Sequence, residues 1–179
     1  MIEKMSKVVT VFGSSAPKSG EPEYETAKKL GKLIAEAGFV LKNGGYGGTM
    51  EAGANGATGA AGSTIGVILK GFWGSRGNRW LDEKICTEDL FERLKMLITG
   101  SDAFVILPGS SGTLAEIALL LEMAAKKIMP PAPVIFIGDF WKPLLDIFGM
   151  IIPDAPSLYT IVYDPVEAVS VLKAKLTMR

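Results

Sequence analysis

The sequence contains no histidine and a single cysteine, Cys86. One cysteine excludes an intrachain disulfide and a cysteine-cluster metal site, and no histidine can act as a metal ligand. A Ser-His or Cys-His nucleophile is also impossible within this chain, so proton transfer near neutral pH must use a carboxylate, lysine, tyrosine, cysteine or bound water. A metal held by carboxylates alone has no support in the sequence, and we expect neither a metal nor a cofactor.

Net charge and long apolar runs are also absent. Lysine plus arginine equals aspartate plus glutamate at 19 each, so no overall positive field attracts DNA or RNA. The first apolar run covers only 8–12, and no run approaches the roughly 20 residues of a membrane span. We therefore expect a cytoplasmic protein with no nucleic-acid or membrane partner, and a single domain over residues 1–179.

Short apolar runs rich in β-branched residues alternate with stretches of helical spacing. The runs are 7–13, 39–43, 63–69, 102–108, 133–138 and 160–164, and the helical stretches are 23–37, 49–61, 88–99, 112–127, 140–149 and 165–177. Apolar strands separated by helices are typical of a parallel sheet covered on both faces. The pattern predicts a three-layer, doubly wound, Rossmann-like α/β fold, whose ligands bind beyond the carboxyl ends of the strands.

One long irregular segment, 70–84, contains two tryptophans, a phenylalanine and two arginines. Such a segment could be a mobile lid over a ligand. The alternative, which we favour, is a surface loop whose aromatic side chains pack on the body of the protein or on another subunit.

Two glycine-containing turns follow predicted strands in the first half of the chain. The first, GSSAPKSG at 13–20, lacks the GxGxxG fingerprint of dinucleotide-binding proteins. The second, at 43–62, has four glycines within 44–48 and then Thr49, a good N-cap residue. Glycines allow backbone N–H groups to approach an anion at a helix N-terminus. Gly53, Gly56, Gly59 and Gly62, inside or at the end of the helix, instead indicate tight turning and close packing of the helix on the sheet.

A third turn, PGSSG at 108–112, leads directly into an apolar-faced helix. Several free N–H groups and hydroxyls should converge there, so a phosphate would fit. Thr113 and Glu116 are expected in the first helical turn, where the positive helix end should keep Glu116 ionised near neutral pH. A carboxylate there can also simply stabilise the helix dipole, and the residues alone favour neither role.

These turns resemble those of a known family. PGSSGTLAE is similar to the PGGxGTxxE signature of the Lonely Guy (LOG) proteins, which are cytokinin riboside 5′-monophosphate phosphoribohydrolases long misannotated as lysine decarboxylases. TEDLFERLKMLITGSDAFVILPG resembles the family's preceding helix and strand, VFGSSAP its first turn, and NGGYGGTMEA its second turn. The four motifs occur in the family's order over residues 7 to 138.

The resemblance implies a function for each matching position. Glu116 falls on the family's catalytic glutamate and Arg93 on the arginine that works with it. The remaining matched or adjacent residues imply a phosphate-binding or nucleotide-binding role; they are Gly109, Ser110, Ser111, Gly112, Thr113, Gly45, Gly47, Gly48, Thr49 and Ser14. Without the resemblance, Arg93 would be interpreted as a surface arginine paired with Glu92 or Asp89. The family also implies at least a homodimer, with helices 88–99 and 112–127 near the interface.

Three positions depart from the family pattern: Ser110 replaces a glycine, Leu94 a lysine and Ala115 an acid found in many members. Ser110 narrows the allowed backbone angles, and Leu94 removes a positive charge from the helix that carries Arg93.

The leading hypothesis is hydrolysis of the N-glycosidic bond of AMP or an N6-modified purine nucleoside 5′-monophosphate, giving free base and ribose 5-phosphate. A carboxylate can stabilise the oxocarbenium-like transition state and activate water. The alternatives are a non-catalytic carrier of a nucleotide or phosphorylated cofactor, such as the molybdenum cofactor, and a nucleotide-sensing subunit. Lysine decarboxylation is excluded as an expectation because no lysine lies in a recognisable pyridoxal phosphate setting.

Overall fold

The computed structural model describes residues 6–71, 76–152 and 154–177. The strands are β1 (Val8–Phe12), β2 (Val40–Asn43), β3 (Thr64–Leu69), β4 (Glu83–Thr87), β5 (Ala103–Ile106), β6 (Val134–Ile137) and β7 (Thr160–Val162). The helices are α1 (Pro22–Glu36), α2 (Thr49–Gly59), α3 (Leu90–Ile98), α4 (Ser111–Ala125), α5 (Lys142–Ile151) and α6 (Pro165–Thr177), with a short 3₁₀ turn at Ala155–Leu158. The strands form one parallel sheet of order β4-β3-β2-β1-β5-β6-β7.

The sheet is covered by helices on both faces. Val9 and Val11 of β1 pack with α1, α2 and α6 in one buried cluster. Phe12 of the same strand points to the other face and packs with α3, α4 and α5. Alternate residues of one strand therefore belong to two apolar cores, as expected for a strand buried on both faces. The predicted single α/β domain with a doubly wound, Rossmann-like sheet is confirmed.

The edge strand β4 was not predicted: the irregular segment 70–84 takes in its first two residues, and the other three were assigned to no element. Three of its five side chains, Glu83, Lys84 and Cys86, are exposed, so the strand lacks the apolar run that marks the others. The lid interpretation depends partly on residues 72–75, which lie outside the described residues. After this gap, Leu81 packs against the apolar core and Asn78 hydrogen-bonds to the backbone of the second turn.

Helices α1 and α2 approach so closely that their backbones touch. A Cβ atom on Gly31 of α1 would collide with the carbonyl group of Gly53, and one on Gly56 of α2 would collide with the carbonyl group of Lys28. The packing interpretation is thus confirmed for Gly53, which packs against both α1 and the side chain of Leu41 in the sheet. It is also confirmed for Gly56 and Gly62, although their contacts are with α1 rather than with the sheet. For Gly59 it is wrong, because a Cβ atom there would have no neighbour within 4 Å.

Helix α3 is held at its C-terminal end by a buried lysine of the sheet. Lys42 of β2 donates from Nζ to the carbonyl oxygens of Met96 (3.0 Å) and Thr99 (2.8 Å). The last carbonyls of a helix have no partner within it and carry partial negative charge, so a cation there is favourable. Burial nevertheless lowers the pKa of Lys42 from 10.5 to about 8, with Asp102 opposing the change.

Helix α4 presents its apolar face to the sheet. Ile117, Leu120 and Leu121 are fully buried in the second cluster. These three side chains therefore belong to the core of the single chain. The exposed large apolar side chains near the N-termini of α3 and α4 are Leu90, Phe91 and Leu114.

Within the described ranges, none of the helices combines the length and the apolar character that a bilayer crossing requires. The same part of the chain contains no cluster of three or more histidine, cysteine, aspartate or glutamate side chains that could hold a metal ion.

Candidate functional site

The three predicted turns meet at the carboxyl edge of the sheet. They follow β1, β2 and β5, which are neighbours in the order β2-β1-β5. The chain leaves β1 for α1 on one face and leaves β5 for α4 on the other, so a crevice opens between these turns. This reversal of winding is where open parallel sheets bind ligands.

Two buried threonines tie the turns together. Thr49 donates to the carbonyl oxygen of Ser14 from its backbone N–H (2.8 Å) and from Oγ1 (3.0 Å). Thr113 donates from Oγ1 to the carbonyl oxygen of Gly13 at 3.0 Å. Both hydroxyl protons are thus already used in hydrogen bonds to backbone carbonyl oxygens. An anion in the crevice would depend on backbone N–H groups more than on these two hydroxyls.

The N-terminus of α4 supplies such N–H groups. Ser110 is the N-cap residue, and the first bond of the helix runs from the N–H of Leu114 to its carbonyl oxygen. The N–H groups of Ser111, Gly112 and Thr113 therefore precede the regular helical pattern. Ser110 has φ −108° and ψ −158°, an extended conformation open to any residue, so the expected restriction from replacing glycine has no effect here.

A cavity of about 410 Å³ opens beside this helix end. It brings together six of the predicted residues: Arg93, Ser110, Ser111, Gly112, Thr113 and Glu116. The same cavity is also lined by six residues that were not individually predicted: Gly13, Ser15, Tyr46, Met50, Leu69 and Leu90. The cavity therefore combines a polar helix N-terminus with several apolar side chains.

Glu116 is buried in this cavity, with 7% of its surface exposed. Burial raises the pKa of its carboxyl group from 4.5 to about 7, and the positive charge of Arg93 opposes that rise. The expectation that the helix end keeps Glu116 fully ionised is wrong, because Glu116 is the sixth residue of α4 and the helix dipole acts mainly within the first turn. Near neutral pH this carboxyl can either accept or donate a proton.

Arg93 projects from α3 into the crevice instead of pairing on the surface. Its Nε donates to the carbonyl oxygen of Val67 at 3.0 Å, and its Nη2 to that of Gly44 at 3.1 Å. The neighbouring acids are used elsewhere, since Asp89 caps α3 and Glu92 accepts from the N–H of Glu88. The interpretation of Arg93 as a surface arginine paired with Glu92 or Asp89 is therefore wrong.

The remaining predicted residues are not among those that line the cavity. They are Ser14, Gly45, Gly47, Gly48, Thr49 and Gly109. Gly48 has φ +64°, and a Cβ atom there would collide with the backbone of Ser14 and Ser15. Gly109 leaves room for the side chain of Thr113. These glycines shape the turns, and a direct contact with a ligand remains a prediction for all six residues.

Tyr46 is the lining residue that the sequence could have revealed. It is the one aromatic residue within the run from Gly44 to Gly48, in a turn where every other residue is glycine. Met50, Leu69 and Leu90 give no comparable signal, because an apolar residue at a strand end or helix start is ordinary in this fold. Their position in the cavity follows only from the three-dimensional arrangement.

Comparison with known proteins gives a consistent family. Residues 6–132 match the model of the SLOG cluster4 family. A cytokinin riboside 5′-monophosphate phosphoribohydrolase of Mycobacterium tuberculosis is 36% identical over 111 residues, which are 61% of this chain and 59% of that protein. The enzyme of the same name from Rhodococcoides fascians is 27% identical over 178 residues, covering 94% of this chain and 90% of that protein.

Among solved structures, the molybdenum cofactor carrier protein of Chlamydomonas reinhardtii is similar along its whole length. It superposes with a TM-score of 0.76 and 28% identity, covering 96% of this chain and 99% of the carrier. The Rhodococcoides enzyme and the carrier are thus matched over comparable lengths, whereas this chain spans about three fifths of the Mycobacterium enzyme. Because the family model spans well over half of the sequence, this chain belongs to the SLOG cluster4 family.

Proposed function

We propose that the cavity hydrolyses the N-glycosidic bond of a purine nucleoside 5′-monophosphate, either AMP or an N6-modified relative. The observation that carries the proposal is the buried Glu116 carboxyl, with a pKa of about 7, in the same 410 Å³ cavity as Arg93 and the N-terminus of α4. General acid–base catalysis is most efficient when the pKa of the catalytic group is close to the working pH. The similarity to two phosphoribohydrolases supports the same activity.

The phosphate would bind at the N-terminus of α4. The N–H groups of Ser111, Gly112 and Thr113 and the positive helix end favour an anion. Arg93, held by two backbone carbonyls, adds a fixed positive charge to the same cavity. Binding the phosphate away from the reacting bond orients the ribose, so remote binding energy contributes to the chemical step.

The chemical step then uses water as the nucleophile. The bond between C1′ and the base nitrogen breaks, and its electron pair leaves with the base. The water oxygen bonds to C1′, one water proton passes to Glu116 in its ionised form, and a proton returns to the departing base. Ionised Glu116 also stabilises the positive charge that develops on the sugar. The products are the free base and ribose 5-phosphate.

The experiment is incubation of purified protein with AMP, followed by separate assays for adenine and ribose 5-phosphate. Glu116→Gln should lower turnover by about 10²-fold or more while AMP still binds, because the shape is kept and the acid–base group is lost. Glu122→Gln, at an exposed carboxylate of the same helix, is the matched control and should be fully active. Arg93→Ala should weaken both AMP binding and turnover.

A second candidate is a carrier of the molybdenum cofactor or another phosphorylated molecule. The whole-length similarity to the Chlamydomonas carrier favours it. In that case wild type binds its cargo at the same helix N-terminus but releases no base from AMP or any other purine monophosphate. Molybdenum analysis of protein isolated from cells that make the cofactor would then detect stoichiometric metal, and Arg93→Ala would reduce it.

A further inference from the structure

Strand β3 continues beyond its neighbour β2. The last pair of residues between them is Asn43 with Gly66, while β3 runs on to Leu69. The carbonyl oxygen of Ser63 accepts a hydrogen bond from β2, and the N–H of Lys70 donates one to β4. Because backbone groups alternate between the two sides along a strand, the odd-numbered residues of β3 direct theirs toward β2. The backbone groups of Val67 and Leu69 therefore point to the side of β3 where β2 has already ended.

Two side chains supply hydrogen bonds at this unpaired edge. The N–H of Leu69 donates to the hydroxyl oxygen of Tyr46 at 2.7 Å, and the carbonyl oxygen of Val67 accepts from Nε of Arg93 at 3.0 Å. Buried backbone groups without partners cost free energy, so both side chains stabilise the strand end. They reach it from different elements, Tyr46 from the second turn and Arg93 from α3.

The two side chains also contact each other. The guanidinium carbon of Arg93 lies 5.3 Å from the centre of the Tyr46 ring, within the range of a cation–π interaction. The guanidinium is thus held by Val67, by Gly44 and by an aromatic ring whose own hydroxyl is anchored to Leu69. Among the described residues, its hydrogen bonds use two of its five N–H groups, Nε and one on Nη2.

We propose that Tyr46 is a positioning residue that fixes the guanidinium of Arg93 toward the anionic group of the ligand. The proposal rests on the proposed function only in taking that ligand to be a phosphorylated nucleotide. A flexible arginine loses side-chain entropy when it binds an anion, and a guanidinium already held in place loses less. Tyr46 would therefore influence affinity without touching the reacting atoms.

The first experiment measures AMP affinity by calorimetry for wild type, Tyr46→Phe and Tyr46→Leu. The phenylalanine variant keeps the ring and loses the anchor, so we expect a reduction of about threefold, and about tenfold for the leucine variant, which loses the ring as well. KM should rise more than kcat falls. Tyr163→Leu, at an exposed tyrosine whose hydroxyl contacts Asp139, is the control and should match wild type.

A double-mutant cycle separates positioning from general loosening of the fold. In an Arg93→Ala background, Tyr46→Leu should have almost no further effect on AMP affinity, because the group it positions is gone. A tenfold loss in that background as well would overturn the proposal. Unchanged affinity of Tyr46→Leu in the presence of Arg93 would overturn it too, provided that circular dichroism shows both proteins folded.

A second measurement does not depend on the ligand. In ¹⁵N NMR spectra of the free protein, the Nε–H signal of Arg93 should be shifted by the Tyr46 ring and protected from exchange with water, and both properties should weaken in Tyr46→Leu. Equal protection in the two proteins would overturn the proposal whether or not AMP binds. Failure of wild type to bind or hydrolyse AMP, with the NMR difference present, would instead refute only the proposed function.

Discussion

The buried carboxyl of Glu116 should make the protein less stable as pH rises toward neutrality. Its pKa is about 7 in the folded protein and has its ordinary value of 4.5 in the unfolded chain. Between these values the folded state binds more protons, so the free energy of unfolding falls as pH rises from about 4.5 to 7 and is constant above. Each pH unit between the two pKa values corresponds to about 1.4 kcal/mol, giving a total of about 3 kcal/mol.

Glu116→Gln removes this titration and keeps the shape of the side chain. From pH 5 to pH 8, wild type should lose about 2 kcal/mol of stability that the variant does not lose. Comparing the change between two pH values cancels any constant effect of the amide. Since the free energy of unfolding of a small domain is usually about 5–15 kcal/mol, a change of about 2 kcal/mol is readily measured.

The assay is urea unfolding of both proteins at pH 5 and pH 8, followed by circular dichroism. Glu122→Gln, at an exposed position of α4, serves as control and should follow the wild-type pH dependence. If wild type and Glu116→Gln keep the same difference in stability at both pH values, the Glu116 carboxyl does not titrate near 7. An acid–base role of Glu116 at neutral pH would then be refuted.

Three further predictions follow from packing and charge. In wild type, the free energy of unfolding should rise between pH 8 and about 10.5, because the unfolded chain still binds the proton that buried Lys42 has lost in the folded protein. Lys42→Met should abolish this rise, and urea unfolding at several pH values measures it. Gly56→Ala should destabilise the protein by about 1–3 kcal/mol, because the added Cβ atom collides with α1. Gly59→Ala should be neutral or should stabilise the protein by up to about 1 kcal/mol. Thermal melts that rank the two variants the other way would contradict the packing. We also expect a homodimer through α3 and α4, where Phe91 is 84% exposed, and a monomer at micromolar concentration in sedimentation would count against it.

The fold followed from the sequence because strands buried on both faces have a clear signature. β5 and β6 are buried along their whole length, and their apolar runs predict them directly. The edge strand β4 is partly solvated and contains Glu83 and Lys84, so its pattern is not distinguishable from a loop. Its place is determined by pairing with β3, which sequence periodicity does not report.

The site was predicted in part. The positions of Glu116 and Arg93 in one cavity agree with the motif that identified them, although their contacts did not follow from it. The pKa of Glu116 depends on burial by side chains that are distant in sequence, and the partners of Arg93 are backbone carbonyls 26 and 49 residues away. Such contacts between residues distant in sequence form only when the sheet assembles.

The contact between α1 and α2 has a mechanical consequence for the cleft. With backbone against backbone at Gly31 and Gly56, neither helix can rotate or slide without driving a carbonyl group into its neighbour. We therefore expect α1 and α2 to keep their relative position when the cleft changes shape. The opposite side of the cleft carries α3, whose N-terminal residues Leu90 and Phe91 are exposed. Any widening of the cleft should thus leave α1 and α2 in place, and should move α3 only as far as the hydrogen bonds of Arg93 to Val67 and Gly44 allow.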